Sequence, residues 1–240
     1  MAFDTAANIV NDAAVQLGLW TAAVNDPIVA TDANSAQLTA YLKSLGQRLA
    51  RAYSWSHLQK SYTFNTASST ETYPLPSDFA RSVDQTHWNR TGTAQLFGPV
   101  GPQTWARLKN SSTAVYTDSS FRTFGNLLYV HPVPTAINTY AFEYVSSQWV
   151  QATADAAPSK EAPTLGTDVL WFDRDLLVTG LKLEFHKNKG FDTSGDVADF
   201  TQALDAAVGA DSPGEVLSLS GPRGFPFLTW CNAPDGDWGF

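Results

Sequence analysis

The sequence predicts an α+β chain: a helical bundle domain with an inserted small antiparallel β domain and an extended C-terminal arm. Three observations carry that expectation. Apolar residues recur at three- and four-residue steps near both ends of the 240-residue chain. Between them, short segments rich in Thr and aromatics alternate and are broken by polar turns. After residue 212 all periodicity stops, and Pro213, Pro222, Pro226 and Pro234 exclude a long helix.

Taken in order, residues 4–18 predict a short amphipathic helix with Ala6, Ile9 or Val10, Ala13 and Leu17 on one face and Gly18 as its stop. Residues 32–53 predict a longer one, because Leu38, Leu42, Leu45, Leu49 and Ala52 follow at steps of four, three, four and three. The β segment, 58–150, is expected to hold about five to seven strands. Phe121–Phe124, Gly125-Asn126 and Leu127–Val130 form a strand, a tight turn and a strand, and Tyr140–Val145 forms another strand. One helical insertion, Pro102–Asn110, carries Trp105 and Leu108 three apart. Residues 151–164, rich in Ala, Pro and Ser, predict a linker. Residues 167–188 predict a helix with two apolar faces, Leu170, Leu177, Leu181 and Phe185 on one and Phe172, Leu176 and Leu183 on the other. Such a helix lies between two packing partners. A last helix, 192–209, carries the stripe Val197, Phe200, Leu204 and Val208. The helical domain is thus 1–57 plus 165–211, and the arm is 212–240.

Composition narrows the function. Charged residues are 16% and aromatics 12%, which argues against disorder and for a neutral, aromatic surface of the kind a subunit with neighbours carries. The net charge is -8, and 151–212 alone contributes -6, so a phosphate-gripping role is disfavoured. A single cysteine, Cys231, excludes an intrachain disulfide and any cluster of several thiolates. The N-terminus lacks the basic and apolar regions of a signal peptide, and no apolar run is long enough to span a membrane.

No catalytic constellation emerges. Phosphate-loop, dinucleotide, nucleophile-elbow and zincin motifs are absent, and His57, His87, His131 and His186 lack ligand spacing and suit turns or the surface. No cofactor and no metal is expected. Asp173 and Asp175 point about 200° apart on a helix and cannot share a site. A glycosidase pair from distant residues, such as Glu143 with Asp84, stays open, and so does a carbohydrate-binding module built on the β-domain tryptophans.

Tyr73-Pro74-Leu75-Pro76-Ser77-Asp78-Phe79, then Asp84 to Thr91 around Trp88, then Leu96-Phe97-Gly98-Pro99-Val100-Gly101-Pro102 leading to Trp105, and Phe142-Glu143-Tyr144 leading to Trp149, form a distinctive order. Together they resemble the head-to-tail adaptor (tail tubular or tail accessory) proteins of short-tailed bacteriophages. The resemblance spans roughly 1–210. It implies a structural virion subunit, assembled in the host cytoplasm into a dodecameric ring. The ring would join a portal protein to a tail nozzle protein, with double-stranded DNA passing through unbound and no membrane partner. The motifs themselves concern packing and turns. Leu75, Pro76, Phe79, Trp88 and Trp105 are expected as the core motif of the β domain, and Asp78 as a turn or helix cap. Asp192, Asp196 and Asp199, on one neighbouring face of the last helix, are expected to face the DNA channel, where like charge lets DNA slide. Phe225, Phe227, Trp230, Trp238 and Phe240 are expected to be the anchors of a docking arm.

Overall fold

A computed structural model describes residues 3–110 and 119–211. The chain is mixed α/β, with five helices and three antiparallel sheets among the described residues.

Helix α1 (Ala6–Gln16) starts where the Thr5 hydroxyl accepts the Asn8 amide, and α2 (Ala33–Ala52) where the Asp32 carboxylate accepts the Ser35 amide at 2.9 Å. Leu38, Leu42, Leu45 and Leu49 of α2 are all buried. Residues 4 and 5, expected in the first helix, are instead strand β1 (Asp4–Thr5). A 3-10 turn at Ser56–Leu58 leads into β2 (Gln59–Asn65), β3 (Thr72–Pro74), β4 (Phe79–Ser82), β5 (Trp88–Asn89) and β6 (Ala94–Gln95). Helix α3 (Pro102–Asn110) opens on its proline, which has no amide to leave unpaired there. Strands β7 (Ser120–Phe124) and β8 (Leu127–His131) are joined at Gly125 and Asn126, both at positive φ as a tight hairpin requires. Strands β9 (Thr139–Ser146), β10 (Val150–Gln151) and β11 (Val169–Leu170) follow. Helices α4 (Arg174–Lys189) and α5 (Ser194–Asp211) end the described chain.

Among the described residues, segment 58–150 therefore holds eight strands and the start of a ninth, β10, more than expected, because two-residue strands leave no periodicity in sequence. Central β9 pairs with β2 from Gln59↔Val145 to Asn65↔Thr139, and on its other edge with β4 and β5, which carries β6. The second sheet runs β3-β8-β7 and the third β1-β11-β10.

The helix expected over 167–188 begins only at Arg174. The backbone before it is committed elsewhere: Val169 and Leu170 pair with β1 and β10, the Trp171 amide donates to the Trp149 carbonyl, and Asp173 caps α4. Leu170 and Phe172 are still fully buried, Leu170 from strand β11 and Phe172 from the bend after it rather than from a helical face. Segment 151–164, expected as a linker, is fastened down. The amides of Ser159 and Lys160 both donate to the Val150 carbonyl, and the Lys160 ammonium reaches the fully buried Asp168 at 2.9 Å.

Two hydrophobic clusters result. One gathers α1, α2, α4 and part of α5 around Trp55, Trp149 and Phe172. The other gathers Tyr73, Leu75, Leu96, Phe121, Leu128, Tyr140, Phe142 and Tyr144. Strand β9 supplies both, sending Tyr140, Phe142 and Tyr144 to the second cluster and Val145 to the first.

Candidate interface surfaces

The buried polar groups inside the fold are structural. Asp78 does not cap a local turn as expected. It is buried, and its carboxylate accepts from the Lys60 ammonium at 2.7 Å, the Tyr144 hydroxyl at 2.9 Å and the Ser146 hydroxyl at 2.8 Å. Burial pushes its carboxyl up, but these three donors outweigh burial and hold it below the ordinary carboxylate range. Burial first, then the bond to Asp78, push the Tyr144 hydroxyl well up. Asp168 follows the same pattern. Burial is opposed by the Thr164 and Leu165 amides and by Lys160, and its carboxyl ends below the usual range. Neither carboxylate faces open space, so neither is placed for acid–base work on a ligand. Among the described residues, no group of three or more His, Cys, Asp or Glu is arranged to hold a metal ion.

Of the expected β-domain core motif, Leu75 and Trp105 are buried, Phe79 and Pro76 half-buried. Trp105 sits edge-on to Tyr129 and His131. Trp88 is a correction: its side chain stands on the outside of the sheet, 45% exposed. The two residues of β5 give no alternation from which its direction could be read. His87, next to it, takes the inward position instead. It is 3% exposed and stacked between Phe121 and Phe142 at centroid distances of 3.7 and 4.6 Å, with neither ring nitrogen bonded among the described residues. Burial pushes its pKa down to about 4.

The three acidic residues of the last helical segment do different jobs. Asp192 accepts the Ser194 amide and hydroxyl, both at 3.0 Å, at the start of α5. Asp196 is bonded to His186 of α4 at 2.5 Å, and Asp199 is exposed. The large apolar stripe of α5 differs from expectation too. The helix is seated on Ala203 and Ala207, while Phe200, Leu204 and Val208 are only half-buried and Val197 is exposed. Small residues let α5 approach α4, and the large ones then open onto a groove of about 480 Å³ between α2, α4 and α5. Leu45, Leu49, Leu183, Phe200 and Leu204 line it, and the Arg48–Glu184 ion pair, 2.5 Å, stands on its rim.

The C-terminus of α5 is pinned. The Asp211 carboxylate accepts the Ser56 amide at 2.8 Å and its hydroxyl at 2.6 Å, and lies 3.4 Å from His57 Nδ1. His57 is ringed by Phe3, Trp55, Trp171 and Phe172 rather than placed at the surface. The arm residues Phe225, Phe227, Trp230, Trp238 and Phe240 lie outside the described residues. Sequence reasoning missed the Asp78 and Asp168 centres and the groove. The only signal for the groove was the mismatch between bulky Phe200 and Leu204 and the alanines one position before and three after Leu204.

No helix among the described residues is long and apolar enough to cross a membrane. No curated protein matches the chain. A family model, however, matches residues 4–218, which takes in every described helix, sheet and core cluster. The chain belongs to the SU10 adaptor protein family.

Proposed function

We propose that the protein is a structural subunit of a phage virion, a ring-forming adaptor that joins the portal to the tail nozzle and lines part of the DNA channel. Family membership over residues 4–218 is the observation that carries this reading. The surface supports it. Helix α4 is packed against α1 and α2 on one side and α5 on the other, and α5 leaves an apolar groove half-covered, as a face meeting a neighbouring copy would. In this reading 1–57 with 165–211 act as one helical body, 58–150 as a β body, and 212–240 as an arm whose aromatics anchor the subunit to the portal or a neighbour. Asp192 and Asp199, both exposed, would keep the channel or its mouth negative so that DNA slides without sticking.

Native mass spectrometry and negative-stain imaging, with and without portal, test the proposal. A closed ring that forms on the portal supports it, and a chain that stays monomeric in the portal's presence overturns it. Deleting 213–240 should leave the circular dichroism spectrum helical and abolish portal attachment. Unchanged attachment would remove the arm from the docking role. A ring structure with Asp192, Asp196 and Asp199 on the outer circumference would remove them from the channel.

A further inference from the structure

The outer face of the five-stranded sheet carries a second open groove. Side chains alternate along β9: Tyr140, Phe142 and Tyr144 enter the β cluster, so Ala141 and Glu143 face the other way. Register places Ser61 of β2 opposite Glu143, and Trp88 of β5 opposite Ala141. Ala141 is the low point of this face: the Trp88 indole stands beside it on β5, the Glu143 carboxylate two residues along β9, and the short Ser61 follows beyond Glu143 on β2. The result is an open groove of about 610 Å³, closed at its end by Gln85 and Arg90. That volume lies within the roughly 300–1,000 Å³ of small-molecule sites.

The rim is held still while its functional groups stay available. The Gln85 carbonyl accepts from Gln95 Nε2 at 3.2 Å, and Thr86 Oγ1 both donates to the Val83 carbonyl at 2.7 Å and accepts the Glu143 amide at 3.1 Å. The Asn89 side chain accepts the amides of Thr91 and Gly92, which shapes the turn carrying Arg90. By contrast, among the described residues no hydrogen bond or ion pair engages the side chains of Ser61, Gln85, Arg90 or Glu143. Nor does any ring lie against Trp88.

We propose that this groove binds a neutral oligosaccharide. A sugar ring offers an apolar C–H face and a fringe of hydroxyls, and the groove offers their complements. The exposed indole stacks the C–H face, Glu143 accepts from vicinal hydroxyls, and Arg90, Gln85 and Ser61 supply donors to ring and hydroxyl oxygens. Charge argues against the other small ligands. The one cation, Arg90, is offset by Glu143, so neither a phosphate nor a polycation finds a net field here.

The full-length protein is titrated with a panel of trisaccharides, maltotriose, cellotriose, mannotriose and chitotriose, while the indole N–H resonance of Trp88 is followed by NMR. Trp88→Phe identifies that resonance. At least one sugar should shift it saturably in the millimolar range. The isosteric Glu143→Gln should weaken binding by roughly tenfold, the worth of one charge-assisted hydrogen bond, with circular dichroism unchanged. Trp88→Ala, which lacks the reporting indole, should abolish binding of that sugar as read by titration calorimetry. No shift with any sugar, or an equal response in Glu143→Gln, overturns the site. So does a Trp88 resonance that moves with protein concentration alone, which would mark the groove as a contact between copies.

Discussion

Gly46 lies in the middle of α2, where a glycine costs a helix about 1 kcal/mol relative to alanine. On propensity alone, Gly46→Ala should stabilise. The surroundings reverse the sign. An added Cβ would stand 2.1 Å from Trp149 Cζ2 and 2.2 Å from Cη2, far inside contact distance. The indole has nowhere to go. It is fully buried, packs against Phe172 at 5.6 Å, and its backbone is fixed by bonds to Lys160 and Trp171. Relief requires movement of main chain, so the upper end of the usual overpacking cost, about 3 kcal/mol, applies. Set against the propensity gain, the net is a loss of about 2 kcal/mol. For a chain of this size that lowers Tm by roughly 4–8 °C. Calorimetry gives the Tm, and urea titration should show a lower midpoint with an unchanged slope. The atoms struck all belong to the six-membered ring of the indole, so Trp149→Phe should remove most of the penalty in the double variant. A higher Tm for Gly46→Ala, or an undiminished penalty beside Trp149→Phe, would refute the packing argument.

Three other variants probe different terms. Gly209→Ala, in α5 with nothing within 4 Å of the added Cβ, should stabilise by about 0.5–1 kcal/mol, and a loss in a thermal melt would mean α5 is not helical there in solution. Asp78→Ala leaves Lys60, Tyr144 and Ser146 without their common acceptor and should cost about 2–4 kcal/mol in urea unfolding, with Asp78→Asn costing less. Stability should also fall with pH in two stages. His87 has a depressed pKa of about 4, so the unfolded chain gains a proton that the folded chain refuses between about pH 6.5 and 4, and stability declines by roughly 2–3 kcal/mol across that window. Below about pH 4 the depressed carboxyls of Asp78 and Asp168 add a second decline, since their stabilisation is complete above the unfolded value and vanishes as pH falls through the folded one. His87→Phe should flatten the first stage and spare the second, as read from urea midpoints at each pH, whereas an unchanged first stage would clear His87 of the effect.

Elements long enough to repeat their pattern were legible in the sequence. The α2 stripe covers about four turns, Pro102 marks the first residue of α3, and Gly125-Asn126 marks a hairpin because both adopt positive φ. What failed was short or distant. Strands β1, β10 and β11 have two residues each, and residues 167–173 look helical because Leu170 and Phe172 fit an apolar face until the strand partners are known. The direction of Trp88 depends on which side of β9 its strand joins, and the depth of Asp168 depends on where Lys160 reaches. The family resemblance was visible because its turn prolines and glycines sit in a fixed order. The groove beside Trp88 was not, since Ser61, Trp88 and Glu143 come from three separate strands.

Strand β9 has a mechanical consequence. Its first part belongs to one apolar cluster and its end to the other, and over seven register pairs it is laced to β2, which itself follows directly from the turn after α2. Both strands leave the helical half at the same end of that ladder, Gln59 opposite Val145, so a load pulling the β-rich half away from the helices is carried by two paired strands at once. Neither half can slide past the other without dragging Val145, Trp149 and Val150 out of the apolar packing around α2 and α4. The two apolar clusters are therefore joined by a paired double strand rather than by a single tether.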